Sequence, residues 1–406
     1  MSSDIRHVLK RAAARPATAV RVPVVIRRGR SLRRRRYGAI AVTFALLVGM
    51  SWALWQGGFV GLFEERIPPA ESDGQEKAAA RLETLTLTAD MTKSVTWPSD
   101  AIEIPFGSAR EELGFESGNE SATIVPDSFA IAPDGTIWVT DFLKHRLAQY
   151  SPDGTFVKDI PVRDSSVGSK RAFLEDIVFV GDRLFVLMED STGRVAEISP
   201  RDGEVRRFRI RHEGRPLAIT KLESAGGRLY ADAFSYVDVL NSSAEVDEMG
   251  PVLVDPATGD AQLSPLPLGN GTRVSFETYS FDQGRFSLRF DGEQQWLQPV
   301  RFRAVTGKGD ADRRALTGSE LVPGPDEVAL FMMLQAPIAG AGGSYDGGQW
   351  LLRIRDPNAD GRPSFEWKAL PEQVTLGCCR HLSWGPDGSL YVMLARRRGL
   401  TILPYP

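Results

Sequence analysis

The chain has 406 residues, 42% of them hydrophobic and 25% charged, with a formal net charge of −3. That is an ordinary globular composition, long enough for one large repeat domain with accessory segments. The two cysteines are adjacent, Cys378-Cys379, which excludes a structural zinc site on ligand count and any disulfide between distant segments.

Charge is distributed unevenly. Residues 1–36 carry 12 Lys/Arg against the single acid Asp4, a local +11, so the remainder sums to −14. This basic arm stands directly before an apolar run, which makes it a membrane flank rather than a nucleic-acid site. Arg outnumbers Lys by 40 to 9, a usage typical of GC-rich genomes such as those of actinobacteria. Ser3-Asp4 open a short predicted helix with Ile5, Val8, Leu9 and Ala12 on one face, suited to anionic headgroups or to a cytoplasmic partner. Residues 27–36 (RRGRSLRRRR) then abut 27 uncharged residues, 37–63. The dense part, 38–55, approaches the about 20 residues that cross a bilayer core, with Trp52 and Trp55 near its far end. Positive-inside bias places residues 1–36 in the cytoplasm and everything after about 64 outside, tethered to membrane lipid. The rival is a signal peptide of the twin-arginine kind, cleaved after Ser51-Trp52-Ala53. Residues 64–94 are polar with a Pro-Pro and read as a stalk, with a short helix over 75–85, ahead of a domain at 95–406.

Within that domain, residues 127–162 contain two Pro-Asp-Gly turns, Pro133-Asp134-Gly135 and Pro152-Asp153-Gly154. Gly supplies φ > 0, Asp caps its own turn and Pro presets φ, so each triplet is a turn with a mechanism. The turns separate four predicted strands, 129–132, 136–140, 146–150 and 156–160, a sheet too small to stand alone. The same phrase returns at 175–189, near Thr220, and from Glu277, Glu320 and His381, which implies an array of blades. The last unit has only three strands, while residues 101–106 (AIEIPF) match the fourth strand of other units, such as VKDIPV. An N-terminal strand completing the final blade would close the ring and protect its edges. The prediction is an all-β, six-bladed β-propeller closed by an N-terminal strand and preceded by one transmembrane helix. The third and fourth units are the least regular and leave five or seven blades open.

The phrases APDGTIWVTD and GPDGSLYVML resemble the NHL/TolB-like superfamily of six-bladed propellers, over residues 101–406. The resemblance implies the fold and a ligand site at the central funnel. The pattern departs at 241–275 and 338–348, so a family activity does not transfer.

The residue seven before each turn Gly opens the innermost strand. Around the ring this gives Ser128, Glu175, Thr220, Glu277, Glu320 and His381 as the ligand-binding funnel rim. Glu175, Glu277, Glu320 and His381 together suit a divalent cation. Lactonases of the regucalcin type hold a catalytic metal on such an axis, although their Asn ligands are absent here; a merely solvated rim is the other reading. PDGTIWVTD also resembles streptogramin lyase-like propellers, which use a histidine pair, but His145 starts an outer strand, away from His381. Cys378-Cys379, beside Arg380 at the same rim, would stiffen it as a vicinal disulfide, remain free thiols or act as a redox switch. Residues 356–365 (DPNADGRPSF) mimic half a calcium loop but carry Trp367 where the twelfth-position acid belongs, which reads as a turn. No P-loop, dinucleotide fingerprint or G-x-S-x-G elbow is present. The expectation is therefore an extracytoplasmic binder of an envelope protein, peptide or glycan, with no resident cofactor. The alternative is a metal-dependent hydrolase, lactonase or lyase.

Overall fold

A computed structural model describes residues 79–405, except 91–93, 117–123, 163–173, 189–192, 235–247, 281–284, 307–308, 312–314, 338–344, 362–363 and 372–379. The chain divides into Met1–Gln75 and Glu76–Pro406, and every described residue belongs to the second unit. The predicted tail and span, 1–63, lie outside the described residues. Among the described residues, no helix is long and apolar enough to cross a membrane.

The turn chemistry read from the sequence sets the blades. At the first turn Gly135 has φ +80°, and Asp134 Oδ1 accepts from the Thr136 amide at 3.0 Å and its hydroxyl at 2.6 Å. Asp153 and Asp387 do the same for the amides of Thr155 and Ser389. Around these turns the first blade forms from Phe129–Ile131, Ile137–Asp141, Arg146–Tyr150 and Phe156–Pro161. Leu174–Val180, Arg183–Met188, Arg194–Ser199 and Gly203–Arg209 make the second. The third comprises Ala218–Ala225, Arg228–Phe234, Glu248–Val254 and Ala261–Leu263, and the fifth Ala315–Pro323, Glu327–Pro337, Tyr345–Arg355 and Phe365–Leu370.

Ring closure agrees with the sequence reading. The sixth blade has Leu382–Trp384, Leu390–Arg396 and Gly399–Tyr405, and β3 (Ile102–Pro105) supplies its fourth strand, with Ile104 opposite Leu400. The protein is a six-bladed β-propeller, and its core is a set of apolar layers between neighbouring blades. Trp138, Leu147, Ile177 and Val186 fill the layer between the first two. Because each blade is covered on both faces, a strand such as Ile137–Asp141 is buried at every position instead of alternating.

Two elements depart from expectation. The predicted stalk contributes β1 (Ala80–Arg81) and β2 (Leu85–Asp90), where a helix was expected over 75–85; both pair in parallel with Gln295–Thr306 of the fourth blade. LTLTAD has a period of two: Leu85, Leu87 and Ala89 are buried while Thr86 and Thr88 face solvent. Leu85 stands opposite Val300 and Leu87 opposite Phe302, and the Trp367 indole donates to the Thr88 carbonyl at 3.0 Å. Further along, Trp97 and Ala101 pack against the layer between the fifth and sixth blades, just ahead of β3 in the sixth. The described parts of 85–105 thus form a strap that touches the fourth, fifth and sixth blades.

The fourth blade is the second departure. Its strand order is Leu266–Pro267, Arg273–Ser280, Arg285–Asp291 and Gln295–Thr306, so a two-residue strand precedes the one that opens the predicted unit. Where the sequence predicted a turn, Pro357–Asp360 forms a single helical turn, capped by Asp356 and Gly361. Asp356 is fully buried and accepts from the Asn358 amide at 2.9 Å and Asn270 Nδ2 at 2.8 Å, and Gly361 ends the segment at φ +72°.

Candidate functional site

Six inner strands, the two-residue Leu266–Pro267 the shortest of them, surround the axis, and a polar network fills one end of the channel. Its centre is Asp176, fully buried. Asp176 Oδ1 accepts from the Ser128 hydroxyl at 2.5 Å and from Arg380 Nε at 3.0 Å. Oδ2 accepts from the Leu222 amide at 2.7 Å and from Arg380 Nη2 at 3.2 Å. Arg380 reaches this carboxylate from the sixth blade in a two-pronged pair and also donates to the Leu222 carbonyl. Lys221 bridges Glu223 and Glu320, the latter at 3.1 Å. Glu320 Oε2 accepts from the His381 amide at 2.5 Å, and the His381 ring lies flat on Phe331 with centroids 4.1 Å apart.

The structure brings three of the six predicted rim residues, Ser128, Glu320 and His381, to the axis. Glu175 and Thr220 are displaced by one position, for a shared reason: each is the extra residue of a β-bulge. Leu174 faces Met188 and Asp176 faces Leu187; Ile219 faces Ala233 and Lys221 faces Asp232. A bulge puts two residues opposite one and re-aims the side chains beyond it, so the axial positions pass to Asp176 and Lys221. Glu277 also sits at a bulge, between Phe276 and Thr278, but on the second strand of its blade. The glycine seven residues after Glu277 follows the second strand in chain order, not the first. The side chain of Glu277 and the pair Cys378-Cys379 lie outside the described residues.

Sequence reasoning missed Asp176, Lys221, Glu223, Asp232 and Arg380. Arg380 was visible as the residue beside the cysteines; the others required the bulges to be placed. Lys221 and Arg380 supply two positive charges, against carboxyls on Asp176, Glu223, Glu320 and Asp232. Burial alone would raise Glu320, but Lys221 and His381 hold its carboxyl down at about 2. Burial would depress Lys221, yet Glu223 and Glu320 more than offset that and hold the ammonium above its ordinary range. Desolvation wins at Glu223 and Asp232 and lifts both carboxyls. Full ionisation would leave two negative charges in excess, and these two acids relieve it by binding protons first.

Among the described residues, no three His, Cys, Asp or Glu are placed to hold a metal. Of the expected set, Glu320 and His381 meet, Glu175 is the extra residue of a bulge, and the Glu277 side chain lies outside the described residues; Lys221 and Arg380 offset part of the charge of the carboxyls that do gather. The same charges make stability depend on pH. Glu320 contributes stability that is complete above the unfolded carboxyl value of about 4.3 and is lost as pH falls towards its folded value. Glu223 and Asp232 act oppositely, since the folded state holds their protons more tightly, so stability falls as pH rises through their lifted values. Denaturant unfolding from about pH 3 to 8 is expected to show a mildly acidic maximum, and stability still climbing at pH 8 would contradict it.

Beyond the network the channel opens into a cavity of about 370 Å³, lined from all six blades. Its walls include Ile131, Phe179, Val322 and Trp384, and Glu223 and Arg380 line it from the network side. Pro267 and Gly269 represent the fourth blade there.

A family model described as a domain of unknown function (DUF7485) matches residues 95–263. No curated protein matches the chain. Among solved structures, the chain is similar to a DUF4221-family member from Bacteroides vulgatus, at 9% identity, 77% coverage of this chain, 97% of that one and TM-score 0.42. It is also similar to virginiamycin B lyase from Staphylococcus aureus, at 9% identity, 69% and 94% coverage and TM-score 0.32. A third is YCF48 bound to D1 peptide, at 12% identity, 72% and 82% coverage and TM-score 0.35. These are likenesses of fold alone.

Proposed function

We propose that this chain is a membrane-anchored, extracytoplasmic propeller that binds a peptide segment of an envelope protein in its central cavity. One observation carries the reading: an apolar-walled cavity with an incompletely satisfied donor and acceptor side by side at its floor. Arg380 Nη1 reaches Glu223 Oε2 at 3.5 Å and the Leu382 carbonyl at 3.4 Å, both beyond the usual 2.7–3.2 Å for such bonds. A peptide group presents one donor and one acceptor and can complete both. The apolar walls favour an amino-acid side chain over a glycan, whose hydroxyls they would leave unpaired.

Calorimetric titration with N-acetyl-leucinamide and N-acetyl-phenylalaninamide tests this. Ser224 lines the cavity and is half-buried, so Ser224→Phe fills it; affinity is expected to drop about tenfold or more. Unchanged affinity in that variant, or no binding to the parent, would overturn the reading. Anchoring is supported by the uncharged run 37–63 behind the basic residues 27–36. A reporter fused after residue 406 is expected to be active only outside the membrane, and cytoplasmic activity would reverse the orientation.

A further inference from the structure

A second site stands away from the axis, where the ring closes. The turn between the second and third strands of the sixth blade is Arg397-Arg398, directly after the strand-ending Arg396, and the three border a groove of about 720 Å³ lined also by Trp97, Glu103 and Thr401. Arg396 is held in place: its guanidinium stacks over Trp97, 4.3 Å from the ring centroid, and pairs with Glu103. Arg397 and Arg398 are exposed, and among the described residues neither side chain has a partner. Three guanidiniums against one carboxylate leave two net positive charges on the groove.

The second observation is independent of charge. Thr401 is 1% exposed, lines the groove, and its Oγ1 has no hydrogen-bond partner among the described residues. An orphaned buried hydroxyl is costly and calls for an explanation. It sits on a rigid element: Thr401 faces Glu103 across the closing strand pair, and Leu400 and Ile402 on either side are buried in the core.

We propose that this groove is an oxyanion site for a phosphate group, with Arg397 and Arg398 as the principal donors and the Thr401 hydroxyl as a further one. Guanidinium forks match phosphate oxygens in pairs; a terminal phosphate offers three non-bridging oxygens and a phosphodiester two, each with more than one lone pair, enough to engage both arginines and the hydroxyl. The phosphate belongs either to a lipid headgroup or to a soluble molecule.

The test uses the full chain in detergent, titrated by calorimetry with inorganic pyrophosphate and separately with dihexanoyl phosphatidylglycerol. Saturable binding of at least one is expected; the tighter of the two identifies the source. The double variant Arg397→Gln/Arg398→Gln, altered only at exposed positions, is expected to weaken binding about tenfold or more. Thr401→Val keeps the side-chain shape and removes the orphan, so affinity should fall while the unfolding midpoint stays or rises. No saturable binding of either probe overturns the proposal. So does parental affinity in the double arginine variant, or a Thr401→Val variant that is destabilised yet binds normally.

Discussion

Arg380→Leu is expected to destabilise the protein by about 3–5 kcal/mol, the range for removing one partner of a buried pair. Arg380 is 2% exposed and its fork spans Asp176 and Glu223 from two other blades. Without it the Asp176 carboxylate keeps, among the described residues, the Ser128 hydroxyl and the Leu222 amide. Lys221 is left as the one cation among four carboxyls, so the excess negative charge grows. Replacing both partners separates pairing from packing: Arg380→Leu/Asp176→Leu is expected to recover part of the loss, because an apolar pair carries no desolvation penalty. Denaturant unfolding of the two single variants and the double variant measures the coupling. A single variant within about 0.5 kcal/mol of the parent would mean that the network does not hold the blades.

The second large effect lies at the strap. Leu87→Asp is expected to cost about 4–5 kcal/mol, combining lost apolar burial with an unpaired carboxylate in the layer. Leu87 is 2% exposed and belongs to the layer that holds Phe302, Phe286 and Trp350. Thr86→Asp, one residue away on the solvent face, is the control and is expected within about 0.5 kcal/mol of the parent. Equal effects at both positions would show that β2 does not dock through its apolar face. A fragment beginning at residue 95 should carry the same defect, since it lacks β2 and bares the edge of Gln295–Thr306.

Much of the architecture was legible because turn chemistry is local. Pro-Asp-Gly specifies its own backbone conformation wherever it occurs, and residues 101–106 could be matched to a missing strand by their pattern. The axis was less legible because it depends on pairing. Glu175 and Thr220 hold the predicted sequence position, but a bulge is decided by two strands together, and it handed the site to Asp176 and Lys221. The fourth blade misled for another reason: Leu266–Pro267 is too short to show any period. β2 was overlooked because LTLTAD, six residues among polar neighbours, finds its partner more than two hundred residues away.

That separation governs how the molecule can be made. Leu85 meets Val300, and Ile104 meets Leu400. At the about 5–20 residues per second of ribosomal synthesis, the two N-terminal segments wait roughly ten seconds to a minute for their partners to exist. Through that interval Leu85, Leu87 and Ile104 are apolar side chains without a sheet, and the incomplete array of blades has an open flank. Productive assembly of this chain therefore depends on keeping its first strands out of foreign ladders until the last one has been delivered.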